Sequence, residues 1–308
     1  MGKLAFVFSG QGAQYPGMGK ELYDLSPAAR KIYDMADGIR PGTSRQCFEG
    51  TKEELSRTLN TQPCLFVTDL AAAAVLGEAG AVPDGAAGYS LGEIAALAFC
   101  KVLSYEDAFR LVIRRAEWMD ECAQREKGAM LAVLKLKNEE VEELCRKAED
   151  VYPSNYNCEG QLVASGTEEG ARRLEQLVKA AGGRSMRLPV SGAFHTPLMA
   201  PAAEKLAAVL EGLRLSEPQI PLYSNVTALP YAGDLSNLIV KQVKLPVLWQ
   251  KTVENMAADG YDAFVEAGPG KTLSGFIGRI SPASRTAGTD GAEAFQGALR
   301  LLAEVRRA

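Results

Sequence analysis

Short apolar runs at residues 4–8, 86–89, 222–226 and 263–266 alternate with longer helix-period segments, and Gly- or Pro-bearing turns separate the two kinds. That alternation constrains the fold most. Strands separated by helices pair as parallel neighbours through crossovers, so the chain reads as α/β with a mostly parallel sheet. Between Gly128 and Val190 the rhythm changes to strand (130–136), helix (139–149), strand pair (151–157 and 161–166), helix (168–181) and strand (184–188). This order is that of a split βαβ, or ferredoxin-like, insertion. The expected division is a large domain of residues 1–127 and 191–308 and a small domain of residues 128–190. The large domain resumes near Gly192, passes through a loop at 281–289 and ends in a helix after Asp290.

Composition narrows the function classes. With 308 residues, 47% hydrophobic and 23% charged, the chain can bury a large core. A net charge of −4 argues against a nucleic-acid binder, which carries an electropositive footprint. The six cysteines form no CxxC pair, and one histidine cannot complete a zinc site, so neither a disulfide framework nor a metal is expected. A reduced, cytoplasmic setting fits best. Met1-Gly2-Lys3 leads directly into a strand, and no run has 18 uncharged apolar residues, so neither a secretory leader nor a membrane span is expected.

Gly88-Tyr89-Ser90-Leu91-Gly92 has the spacing GxSxG, with a small-residue strand before it and a helix after it. In such an elbow the serine sits on a strained turn, and the glycines permit strand and helix to approach closely. Ser90 would lie at a helix N-terminus, where backbone N–H groups stabilise a developing oxyanion. The bland alternative is a βα turn with a capping serine. A serine nucleophile needs a base, and His195 is the one histidine in the chain. It precedes a helix that Thr196 could cap and Pro197 could begin. Alone it would pass for a surface or capping residue; the two assignments support each other.

Along residues 104–122 an apolar stripe runs through Ala108, Leu111, Val112, Trp118, Met119 and Cys122, and Arg115 falls within it. Its neighbour Arg114 shares the polar face with Asp107, Arg110, Glu117 and Glu121. An inward guanidinium must meet an anion or bear a large desolvation cost. Either a buried Asp or Glu pairs with Arg115, or Arg115 binds a carboxylate of the substrate.

These residues together resemble the malonyl-CoA:acyl carrier protein transacylase family over nearly the whole chain. Five motifs occur in the family's order. They are Phe8-Ser9-Gly10-Gln11-Gly12-Ala13-Gln14, the elbow from Gly88 to Glu93, Arg115, the histidine loop at 189–199, and Gly268-Pro269-Gly270-Lys271-Thr272. The resemblance implies an α/β-hydrolase-like large domain with the ferredoxin-like insertion as its lid. It implies a ping-pong transfer of malonyl from malonyl-CoA to the phosphopantetheine thiol of acyl carrier protein, in fatty-acid or polyketide synthesis. Coenzyme A enters as part of a substrate, and no cofactor is implied.

Residue by residue, Ser90 is then the nucleophile, His195 the base, and the N–H groups of Gln11 and Leu91 the oxyanion hole. Arg115 grips the malonyl carboxylate. The backbone carbonyl of Leu248, in Pro246-Val247-Leu248-Trp249, orients the histidine, although the family often has a polar residue there. Phe194 resembles the malonyl-selective members. Tyr89 stands where the family usually carries histidine and bears on acyl selectivity. Gln62 and Asn157 fall near family positions that line the cleft.

Two other motifs fail on spacing. Gly10-Gln11-Gly12 needs a third glycine where Tyr15 stands, and Gly270-Lys271-Thr272 needs one at Val265. The rival functions are a serine hydrolase with water as acceptor and a catalytically silent acyl-binding scaffold.

Overall fold

β1 (Lys3–Phe8) is buried along all but its first residue, because Leu4-Ala5-Phe6-Val7-Phe8 offers apolar side chains to both faces of a sheet. The computed structural model describes residues 2–190 and 192–307, without the side chains of 306 and 307. Met1, Ser191 of the histidine loop and Ala308, all inside segments named above, lie outside the described residues. Four short helices follow β1: α1 (Lys20–Leu25), α2 (Pro27–Ile39), α3 (Thr43–Glu49) and α4 (Lys52–Ser56). Then come α5 (Thr58–Glu78), β2 (Gly85–Gly88), α6 (Leu91–Phe99) and α7 (Tyr105–Arg125).

α5 is apolar on nearly every side, and a helix of that kind belongs in a core. Among the described helices it alone is long and apolar enough to cross a membrane, but 83% of its apolar window is buried inside the fold.

The insertion follows as β3 (Gly128–Leu134), α8 (Asn138–Ala148), β4 (Val151–Cys158), β5 (Gln161–Thr167), α9 (Glu168–Ala180) and β6 (Arg184–Arg187). Its strands form an antiparallel sheet in the order β4-β5-β3-β6, the expected ferredoxin-like arrangement. Leu131, Val133, Val141, Leu162, Leu174 and Val178 build a core of its own. β4 is tied to the main body by two backbone bonds: Tyr156 N–H donates to Val247 O and Val247 N–H to Ser154 O, both at 2.9 Å.

The main body resumes with α10 (Ala200–Leu210), β7 (Leu222–Tyr223), α11 (Leu235–Lys244), α12 (Trp249–Ala258), β8 (Tyr261–Ala267), α13 (Thr272–Ile280), β9 (Arg285–Gly288) and α14 (Ala292–Arg307). Its sheet has the order β7-β2-β1-β8-β9, with every described pair parallel. β9 corrects the expected loop at 281–289. Arg-Thr-Ala-Gly has no apolar run to announce a strand, and an edge strand paired on one side needs none. β7 is likewise two residues long where five were expected.

From β1 the chain proceeds toward β2 and β7, whereas from β8 it proceeds toward β9. Connections thus diverge at the C-terminal ends of β1 and β8, where open α/β sheets bind ligands.

Candidate active site

β2 bends sharply into α6 at Ser90, whose φ of 54° and ψ of −104° lie in a sparsely populated region for a side-chain-bearing residue. The flanking glycines permit this. A Cβ on Gly88 would stand 2.1 Å from the carbonyl carbon of Gly92, and one on Gly92 would stand 2.2 Å from Phe8 O. The strand–turn–helix elbow expected from GxSxG is therefore present, built on glycine at both ends.

His195 reaches the same point from the loop before α10. Thr196 caps the following 3-10 turn (Pro197–Met199), accepting from Leu198 N–H at 3.3 Å, and Pro197 begins it as its sequence position suggests. His195 Nε2 lies 2.7 Å from Ser90 Oγ and Nδ1 lies 2.8 Å from Gln242 O. A carbonyl can only accept, so Nδ1 carries the proton and Nε2 presents its lone pair to the serine hydroxyl. Burial, and secondarily the Arg115 charge, lower the imidazole pKa to about 4, against the raising effect of the Gln242 carbonyl bond. His195 is neutral at pH 7 and can take a proton.

The carbonyl that orients the histidine belongs to Gln242, which corrects the assignment to Leu248. Gln242 lies in the last turn of α11, where carbonyls have no intrahelical partner to serve. Leu248 caps α12 instead, and its carbonyl accepts from both N–H and Oγ1 of Thr252 at 2.9 Å.

Arg115 points inward from α7 and is 1% exposed. Nη1 donates to Gln62 Oε1 at 2.7 Å, and Nη2 to Gln242 Oε1 at 3.1 Å and Ser90 Oγ at 3.3 Å. All three acceptors are neutral, and among the described residues Nε has no hydrogen-bond partner. Among the described residues no carboxylate lies within ion-pair distance, so the alternative of a structural ion pair is not realised. Burial lowers the guanidinium pKa to about 10, with the Glu93 charge opposing, and the group stays cationic at neutral pH.

Ser90, His195, Arg115, Gln11, Leu91, Phe194, Tyr89 and Gln62 line one cavity of about 80 Å³. Through Gln11, Tyr89, Leu188 and Val190 it adjoins a larger, mostly apolar cavity of about 410 Å³, which also contains Asn157. Tyr89 donates from its hydroxyl to Asn157 Oδ1 at 2.6 Å and packs edge-on against Trp249, so the residue before the nucleophile touches the insertion.

Residues 5–278 match the model of the acyl transferase domain family. The malonyl CoA-acyl carrier protein transacylase of Bacillus subtilis is 38% identical over 99% of this chain and 98% of its own. A solved transacylase of that name from Clostridium perfringens superposes with a TM-score of 0.95 at 34% identity, covering 99% of this chain and 98% of its own. A malonyl-transacylase solved in complex with its type II PKS acyl-carrier protein superposes at 0.93, with 34% identity and coverage of 97% and 99%. The chain belongs to the malonyl-CoA:acyl carrier protein transacylase family.

Three buried polar residues of this transacylase site escaped the reading of the sequence. Gln242 joins it all: its carbonyl holds His195, its Oε1 holds Arg115, and its Nε2 donates to Ser90 O at 2.5 Å. Its signal was there to read, a polar residue beside the buried Ile239 and Val243 of α11, just as Arg115 interrupts α7. Glu93 is the single charged residue of the otherwise apolar α6 and carries the same signal. Asn225 falls in the segment 222–226 expected to be strand, beyond the two residues that form one, and carries no such signal. Among the described residues there is no cluster of His, Cys, Asp and Glu suited to a metal.

Proposed function

We propose that the protein transfers a malonyl group from malonyl-CoA to the phosphopantetheine thiol of an acyl carrier protein through a malonyl ester on Ser90. The observation that carries this reading is Arg115, a buried cation beside Ser90 Oγ with neutral partners alone among the described residues. A malonyl carboxylate supplies the missing anion and places its thioester carbonyl at the nucleophile.

In the first half-reaction the Ser90 hydroxyl proton passes to His195 Nε2 as Oγ attacks the thioester carbonyl. The N–H groups of Gln11 and Leu91, at the cavity wall, receive the oxyanion. Collapse breaks the C–S bond, and the coenzyme A thiolate leaves with the proton from His195. In the second half His195 takes the carrier thiol's proton, the thiolate attacks the ester, and the proton returns to Ser90. The carboxylate also offsets the Arg115 charge that depresses the imidazole, so binding makes the base stronger as it is needed.

The coenzyme A thioester is a substrate, and no cofactor takes part. Phe194 and Tyr89 bound the acyl pocket and set its size. Residues 128–190 act as a lid over a large domain of residues 1–127 and 191–308. The setting is the cytoplasm and the pathway fatty-acid or polyketide synthesis.

Intact-mass measurement tests the proposal. Incubation with malonyl-CoA should add one malonyl group to Ser90, and holo acyl carrier protein should remove it far faster than water does. An adduct that water clears as quickly would make the protein a hydrolase; no adduct would make it a silent binder.

A further inference from the structure

The bend that carries Ser90 is buried, so each of its backbone polar groups needs a partner. On the β1 side Phe8 O still accepts from Tyr89 N–H at 3.0 Å, but on the other side the sheet stops supplying them: β2 pairs with β7 at Ala86↔Leu222 and Ala87↔Tyr223 and no farther. Beyond that point the side chain of Asn225 takes over. Its Nδ2 donates to Gly88 O at 2.6 Å, and its Oδ1 accepts from Ser90 N–H at 2.8 Å. A carboxamide presents a donor and an acceptor as a peptide group does, so Asn225 continues the ladder across a turn that has left strand geometry.

Asn225 is itself fixed. It is fully buried, its N–H donates to Glu93 Oε1 at 3.0 Å, and its carbonyl accepts from Leu248 N–H at 2.9 Å. The same Glu93 oxygen accepts from the Tyr231 hydroxyl at 2.7 Å. Glu93 stands three residues after the nucleophile, so the chain closes from elbow to Glu93 to Asn225 and back to the elbow.

We infer that Asn225, backed by Glu93 and Tyr231, is the positioning unit that holds Ser90 in its left-handed conformation. None of the three hydrogen-bonds the reacting atoms. Asn225 acts through the backbone of Ser90, and a displacement of about 1 Å at a reacting atom can cost on the order of 100-fold in rate. The unit therefore serves acylation and not the binding of coenzyme A. This inference rests on Ser90 being the acylated residue.

Rapid-quench intact-mass kinetics with malonyl-CoA test it on Asn225→Asp, Tyr231→Phe, Glu93→Gln and Glu93→Ala. Aspartate keeps the shape and the acceptor for Ser90 N–H but loses the donor to Gly88 O. Its acylation rate at saturation should fall about 100-fold while half-saturation moves less than about 3-fold. Tyr231→Phe, which removes one donor to Glu93, should lose less, and Glu93→Gln should recover most of the rate lost in Glu93→Ala. Asn225→Asp acylating within about 3-fold of the parent, or losing only half-saturation, overturns the inference. So does Glu93→Gln matching Glu93→Ala, and that pair decides if Asn225→Asp does not fold. A parent acylated elsewhere than Ser90 removes this inference and the proposed function together; a normal parent with a normal Asn225→Asp removes this one alone.

Discussion

Nη2 of Arg115 lies 3.3 Å from Ser90 Oγ, while among the described residues the guanidinium has only amide and hydroxyl oxygens as hydrogen-bond acceptors. A buried cation left in that state favours any ligand that brings a carboxylate to the nucleophile. Arg115→Ala should lower kcat/KM for malonyl-CoA by about 100-fold or more, as expected when one partner of a buried charged pair is removed. Acetyl-CoA, which has no carboxylate to lose, should change far less. Steady-state kinetics on the two thioesters measure this, and equal losses on both would assign Arg115 a purely structural part.

His195 is the one histidine in the chain, so a single imidazole signal reports the catalytic base. NMR should show it titrating near 4, below its ordinary value of 6.5, because burial and Arg115 both oppose the imidazolium. Arg115→Gln removes the second cause and should move the titration upward. The depression also has a stability consequence. Between pH 6.5 and 4 the unfolded chain binds a proton at this residue that the folded chain does not, so acidification through that window destabilises the fold. Glu93, held up to about 7 by burial, slopes the other way between 7 and its ordinary 4.5. The His195 contribution therefore appears in the difference between parent and His195→Gln. Denaturant titrations should show the parent's stability relative to that variant falling by on the order of 3 kcal/mol from pH 6.5 to 4.

Readability from the sequence divided along physical lines. Periodicity and glycine placement report burial and local turns, so the sheet body, the insertion's strand and helix order, the Ser90 elbow and the inward Arg115 were all legible. Contacts made by backbone atoms leave no trace in residue identity. That is why the family resemblance points to Leu248 as the histidine's carbonyl partner, whereas Gln242, at the end of α11, holds the role. Asn225 escaped for a related reason: its work is to replace a missing ladder bond, and the end of a two-residue strand cannot be located from composition. β9 escaped because an edge strand of four residues needs no apolar pattern.

The strain at Ser90 gives a third prediction. A side-chain-bearing residue at φ 54°, ψ −104° costs roughly 1–3 kcal/mol that glycine largely avoids. Ser90→Gly should abolish the malonyl adduct without loss of stability, and thermal unfolding should place its Tm at or above the parent's. A clear drop in Tm would mean that the hydroxyl's bonds to His195 and Arg115, with glycine's larger unfolded-state entropy, outweigh the backbone strain relieved.

Gly92 is an exacting position in the site, because the first turn of α6 passes directly over the end of β1. A Cβ there would fall 2.2 Å from Phe8 O and 2.5 Å from Ser9 O, and both are backbone atoms that cannot swing aside. Gly92→Ala must therefore push α6 away from β1 and carry Ser90 with it, relative to the Gln11 loop that follows Ser9. Overpacking of this kind costs roughly 1–3 kcal/mol, and a displacement of about 1 Å between nucleophile and oxyanion donors costs on the order of 100-fold in rate. The variant should fold with a lowered Tm and acylate far more slowly than its stability loss alone explains. Gly77→Ala in α5 is the control, since a Cβ there meets nothing within 4 Å. It should be neutral or slightly stabilising, as alanine is favoured over glycine in a helix, with unchanged acylation. Near-parent acylation by Gly92→Ala in single-turnover kinetics would show that strand and helix can part without disturbing the nucleophile.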